Sequence, residues 1–182
     1  MKQKLTIQIE IMMMAVFAYL LSLIPLQFSN FDISLGIIPI LLISLRRNVW
    51  QGLEAGLIWG ILKLLLGSAQ ILSPTQAFIE YLLAFTCAGL AGIFSSAFHN
   101  KNHPLLYVIL GSLTGSLARF FWHFIAGGVF WASYAPQSIN PWIFSLLING
   151  ISGLLTALVA TAILILLFKM APQLFLYKKK RG

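Results

Sequence analysis

The chain has 182 residues, of which 59% are hydrophobic and only 9% charged, and its formal net charge is +8. A soluble globular domain is about 45–50% apolar and about 25% charged, so these values exclude an ordinary water-soluble fold. The single cysteine, Cys87, excludes an internal disulfide and any multi-cysteine metal site.

Apolar runs and their breaks predict an all-α integral membrane protein with six transmembrane helices in one domain, 1–182. Span 1 covers about 5–24 and stops at Pro25. Lys2 and Lys4 ahead of it resemble the start of a signal peptide, but no small-x-small cleavage site follows, so the run reads as a span. An irregular segment, Gln27–Asp32, carries turn-forming residues. Span 2, about 34–45, is short and ends at Arg46-Arg47. Span 3 is about 50–67. Ser73-Pro74 reads as a helix cap with proline at the first helical position, and it opens span 4, about 75–97. Span 5 is about 104–131. Ser138-Ile-Asn-Pro141 suggests the start of span 6, about 141–168, which is followed by a basic tail.

Six spans put both termini on one side. Lys2, Lys4, Arg46, Arg47, Lys101, Lys169 and the Lys178–Arg181 run all fall on that side, and the loops opposite carry no lysine or arginine. The bias predicts cytoplasmic termini in a multi-pass cell-membrane protein of a bacterium. The positive charge is then a topology signal and an attraction to anionic membrane lipids, with no nucleic-acid partner implied.

The informative residues are the polar ones inside the spans. Glu10 and Glu54 lie near the cytoplasmic ends and read as reaching the interface, whereas Asp32 reads as solvated in an outer loop. Glu80 lies roughly 9 Å below the outer end of span 4, and His123 and Asn149 lie roughly 12 Å below the outer ends of spans 5 and 6, at 1.5 Å per residue. Lys63, Arg119 and Trp59 fall at a similar depth, and Trp131 ends span 5. Hydrocarbon satisfies none of these groups, so they face inward, toward one another or toward a ligand. Two readings stand: a buried network pairing Glu80 with Arg119 or Lys63 that only holds helices together, or a small-molecule pocket. A carboxylate beside tryptophan faces suits an organic cation, and imidazole and amide groups suit a polar heterocycle. Gly127-Gly128 allows either close ligand approach or close helix packing, and Trp122, Trp131, Tyr134 and Trp142 are also at home in an interfacial belt, Trp142 at a span start above all. There is no G-x-x-x-x-G-K-[ST] loop, no metal-ligand spacing and no legible nucleophile–base arrangement, so no cofactor and no enzyme is predicted.

Several stretches together carry a resemblance over nearly the whole chain. They are Ser22-Leu-Ile-Pro25, Ile38-Pro-Ile-Leu-Leu42 with Ser44-Leu-Arg-Arg47, Gly56-Leu-Ile-Trp-Gly60, Gln76-Ala-Phe-Ile-Glu-Tyr-Leu82, His123-Phe-Ile-Ala-Gly127 with Phe130-Trp131, and Asn149-Gly-Ile-Ser-Gly153. In these the chain resembles the ThiT family, the thiamine-specific substrate-binding S-components of energy-coupling factor (ECF) transporters. The resemblance implies capture of thiamine from outside, with a transmembrane coupling subunit and two ABC-type ATPases as partners. It implies a site lined by Glu80, Tyr81, His123, Trp131, Asn149, Trp59, Gly127 and Arg119. Trp131 and His123 would flank the rings, Glu80 would offset the thiazolium charge and bond the aminopyrimidine, and Tyr81 and Asn149 would bond polar ends.

The chain departs from that pattern at several positions. Arg119 stands for a lysine; Asn30 and Ser34 stand for a tryptophan and a glutamate in the first outer loop; Gln70 and Phe144 each stand for a tyrosine. Phe31 or Asp32 would then serve in the lid. The docking surface on span 1 reads Met12-Met-Met-Ala-Val-Phe-Ala18 where an A-x-x-x-A pattern is expected, with Ala15 and Ala18 three apart. The alternatives are an S-component for a related heterocycle such as a thiamine precursor, a membrane scaffold without transport, and a stand-alone ion-coupled carrier.

Overall fold

A computed structural model describes residues 2–29, 31–100 and 102–176, with only the backbone for Lys2 and Gln3. Asn30, and half of the basic charges used for orientation (Lys101 and the Lys178–Arg181 tail), lie outside the described residues, as does the side chain of Lys2.

Helices dominate: α1 Lys2–Leu21, α2 Ile37–Arg46, α3 Val49–Leu65, α4 Pro74–Asn100, α5 Pro104–Phe130 and α6 Pro141–Met170. Among the described residues, four of these are long and apolar enough to cross a membrane, namely α1 from Lys4, α4, α5 and α6. The caps follow sequence chemistry. Asn48, Ser73 and Asn140 each accept a hydrogen bond from a backbone N–H of the first turn, and Pro74, Pro104 and Pro141 open their helices.

Two predicted segments come out differently. The run predicted as span 2 is a ten-residue helix, roughly 15 Å long at 1.5 Å per residue, against a hydrocarbon layer of about 30 Å. Every residue from Ile37 to Leu45 is buried. A helix that is apolar all round belongs inside a bundle, and α2 is its central plug. The irregular segment before it is a small antiparallel hairpin that pairs Gln27 with Asp32 and Phe28 with Phe31, with Ser29 at φ +55° in its turn. Two hydroxyls on α6 hold the segment down: Ser152 Oγ accepts from Asp32 N at 3.1 Å and Thr156 Oγ1 from Ser34 N at 3.0 Å.

A glycine ridge sets the α3–α4 contact. A Cβ at Gly56 or Gly60 would run into the backbone of Phe85 or Tyr81, and one at Gly52 into Ser44 and the Gly89 carbonyl. Small residues one turn apart let two backbones touch without side chains between them. The contact sets Trp59 of α3 against Phe85 of α4, and with Lys63 they line one cavity.

At the end of the bundle where α1 begins, Glu10 does more than reach the interface. Its carboxylate accepts from Arg47 at 2.8 Å and from Arg46 at 3.3 Å, and Arg46 also donates to the carbonyls of Gln173, Leu174 and Leu176. The first helix, the plug and the chain after α6 are thus tied together. On α1, Ala15 and Ala18 are fully buried against the bundle, so they form no part of its outer surface. Met12, Met13, Val16 and Phe17 are exposed there instead.

Candidate functional site

Glu80 and Tyr81 sit in a π-helical turn, Phe78–Leu83, inside α4. Such a turn inserts extra backbone and rotates the following side chains, and it recurs at functional sites. Glu80 is buried. One carboxylate oxygen accepts from Trp131 Nε1 at 2.6 Å and the other from Gln76 Nε2 at 2.6 Å. Both donors are neutral, and among the described residues no cation lies within ion-pair distance of Glu80. The predicted alternative of a Glu80–Arg119 or Glu80–Lys63 pair is therefore not formed.

A cavity of about 330 Å³ opens beside this carboxylate, lined by Glu80, His123, Gly127, Trp131 and Asn149 from three helices. Its volume lies in the range of small-molecule sites, about 300–1,000 Å³. Asp32, Gln70, Tyr134, Phe144, Ser145 and Ile148 complete the wall. Ser145 Oγ donates to the Phe124 carbonyl at 2.7 Å and accepts from Asn149 Nδ2 at 3.1 Å, which orients the asparagine. His123 lies against the rings of Phe85 and Phe120, and its Nε2 is buried with no partner among the described residues. The two glycines divide the alternatives between them. Gly127 faces Ser145 and Asn149 at the cavity, while Gly128 packs under the Trp142 ring.

Trp59 and Arg119 line a second cavity of about 230 Å³ under the first outer loop. The two cavities share Asp32. Trp59 is fully buried and stacks on Phe85 at 4.2 Å, and the Arg119 guanidinium lies over both rings. Ser34 lines this second space.

Tyr81 departs from its expected role. Its hydroxyl accepts from Gln70 N at 2.8 Å and donates to Gln70 O at 3.2 Å, so it anchors the second outer loop and does not line the cavity. Asp32 is exposed, as expected of a loop acid, and it lines both cavities; one oxygen accepts from Gln27 Nε2 at 2.8 Å.

Sequence reasoning missed Gln76, Ser145 and the cavity position of Tyr134. For Gln76 the signal was its spacing, four residues before Glu80, which puts the two on one helix face. The fully buried Gln76 also donates to the Gln70 carbonyl at 3.1 Å and accepts from Leu72 N at 3.0 Å, joining the outer loop to the acid.

The chain is similar to known proteins over nearly its whole length. The family described as Thiamine transporter protein (Thia_YuaJ) matches residues 8–176. The chain is 36% identical to the thiamine transporter ThiT of Lacticaseibacillus paracasei, over 97% of this chain and 93% of that protein. It is 32% identical to ThiT of Bacillus subtilis, over 91% of this chain and 92% of the relative. A solved structure of ThiT from Listeria monocytogenes superposes with a TM-score of 0.90 at 42% identity, covering 96% of this chain and all of the other. The helical bundle, its membrane-crossing helices and these matches together establish a multi-pass bacterial membrane protein with a transport role rather than an enzymatic one, and the chain belongs to the thiamine transporter protein (Thia_YuaJ) family.

Proposed function

We propose that this chain is the membrane-embedded thiamine-binding subunit of an ATP-driven energy-coupling factor importer. One observation carries the reading. Glu80 is a buried carboxylate with only neutral donors on its oxygens, and it faces a small-molecule cavity. A buried charge without a counter-charge is costly. An organic cation in that cavity supplies the counter-charge, and the thiazolium of thiamine is one. The indole of Trp131 offers a face to the cation, and His123 and Asn149 offer ring and amide groups to a polar heterocycle. Arg119 and Trp59 close the site from the second cavity.

The chain carries no phosphate-binding loop, so the energy for uphill import comes from partners: a transmembrane coupling subunit and two ABC-type ATPases. The exposed Met12, Met13, Val16 and Phe17 face of α1 suits the coupling subunit, because methionine adapts to partners of different shape. With both termini in the cytoplasm, the cavities and the first outer loop open to the outside, and ATP-driven reorientation of the whole subunit delivers the ligand inward.

Isothermal titration of detergent-purified protein against thiamine and its heterocyclic precursors tests the reading. The expected result is tight one-to-one binding of thiamine that is lost in Glu80→Gln and Trp131→Ala. Binding of a precursor in preference to thiamine would reassign the substrate. Uptake into vesicles lacking any ATPase would remove the ATP-driven mechanism.

A further inference from the structure

We propose that Gln76 is a positioning residue for the ligand. From behind the cavity wall its side-chain amide holds the Glu80 carboxylate where a cationic ring meets it, and so sets the preference for a charged ligand over a neutral one of the same shape. The inference rests on the thiamine reading of the first cavity and deepens it.

Gln76 is fully buried and does not line the cavity. Its amide is fully engaged around the site. Nε2 donates to Glu80 Oε2 at 2.6 Å and to the Gln70 carbonyl at 3.1 Å, and Oε1 accepts from Leu72 N at 3.0 Å. These partners fix which way the amide points. Turned over, it would set its oxygen against a carboxylate and a carbonyl, and its N–H groups against an N–H. Gln76 therefore serves Glu80 only as a donor and holds that oxygen as an acceptor.

A plainer role is helix capping. Ser73-Pro-Thr-Gln76 has the spacing of a capping box, and Gln76 N donates to Ser73 Oγ at 3.1 Å. A cap explains the side-chain oxygen, which takes a free N–H just ahead of the helix. It does not explain the NH2 group, which has no task in a capping box, where glutamate serves as well as glutamine. Here one of its hydrogens goes to the acid and the other to the second outer loop.

Glu80 lies four residues on, over the same helix face. A glutamate side chain is flexible, and a ligand that must freeze it binds less tightly than one that finds it already fixed. Gln76 and Trp131 fix it beforehand, one on each oxygen, and a carboxylate with two donors keeps lone pairs for a ligand. The two donors differ in place. Trp131 lines the cavity, whereas Gln76 stands outside it. Gln76 is also neutral, so it orients the charge without cancelling it. Gln70 lines the same cavity, and the Tyr81 hydroxyl holds it by both backbone groups. Through Gln76 the acid and this part of the wall form one unit.

The test is calorimetric titration of the full chain with thiamine and with deazathiamine, the neutral isostere that carries carbon in place of the charged ring nitrogen. Gln76→Met keeps the length of the side chain and removes the amide. Gln76→Asn keeps the amide but is too short to span Leu72 and Glu80. Ser73→Ala removes the cap alone. Gln76→Met should weaken thiamine about tenfold and deazathiamine by no more than about twofold, so the preference for charge narrows about fivefold. Gln76→Asn should narrow it in the same direction, and it decides the matter if Gln76→Met does not fold. Ser73→Ala should lower the unfolding temperature and leave the preference at its wild-type value. An unchanged preference in the Gln76 variants, equal losses of both ligands, or the same narrowing in Ser73→Ala would reduce Gln76 to a cap and overturn the proposal. Wild-type protein that binds thiamine no more tightly than deazathiamine overturns the counter-charge reading of Glu80 itself, and the positioning role with it.

Discussion

The indole Nε1 of Trp131, at the end of α5, donates to Glu80 Oε1 on α4 across 2.6 Å, and this bond joins the only aromatic donor at the carboxylate to the cavity's one unpaired buried acid among the described residues. Trp131→Phe keeps a ring and deletes the donor. Thiamine affinity should fall by about tenfold, the loss of one hydrogen bond to a charged group. In a double-mutant cycle with Glu80→Gln, unfolding of the ligand-free protein should return a coupling of about 1–2 kcal/mol. Additive effects would show that the bond contributes nothing to the folded protein.

Tyr81→Phe probes the second outer loop. Because the Tyr81 hydroxyl bonds both backbone groups of Gln70, its removal should cost about 1 kcal/mol in loop stability. Amide exchange at Gln70 should quicken, and thiamine affinity should drop only a few-fold. A drop as large as that of Glu80→Gln would instead place the hydroxyl on the ligand.

Thr156→Val is nearly isosteric and removes the acceptor for Ser34 N, and Ser152→Ala does the same for Asp32 N. Each leaves a loop N–H without its helix anchor, worth about 1 kcal/mol. Stopped-flow tryptophan fluorescence should show ligand release about fivefold faster. Unchanged release rates would mean that the hairpin does not retain the ligand.

Gly60→Val places a branched side chain against the Tyr81 carbonyl. Thermal unfolding in detergent should register a loss of about 2–3 kcal/mol from forced separation of α3 and α4. Thiamine binding should fall with it, because the same contact sets Trp59 against Phe85 in the wall of the second cavity.

Much of the bundle was legible in the sequence. Long apolar runs, the pair Ser73-Pro74 and the stretch Ser138-Ile-Asn-Pro141 marked α4 and α6, because cap chemistry and bilayer thickness are both local rules. Burial of α2 was not legible, since a ten-residue apolar run reads alike whether it meets lipid or protein. For the site, depth along each helix brought Glu80, His123 and Asn149 together correctly, whereas azimuth was invisible. The π turn at Phe78–Leu83 breaks the 3.6-residue period, so helical spacing could not say which way Tyr81 points. The division into two cavities arises from the first outer loop folding onto α6 through Ser152 and Thr156, a pairing across more than a hundred residues that no local pattern encodes.

The shortness of α2 bears on how the chain enters the bilayer during synthesis. Ten residues fall well below the about 20 that a translocation channel needs to release a helix into lipid on its own. Arg46 and Arg47 hold the end of that segment at the membrane face, and α3 begins two residues later. At 17 residues α3 also falls just short of that length, so the two are expected to insert together as one helical hairpin.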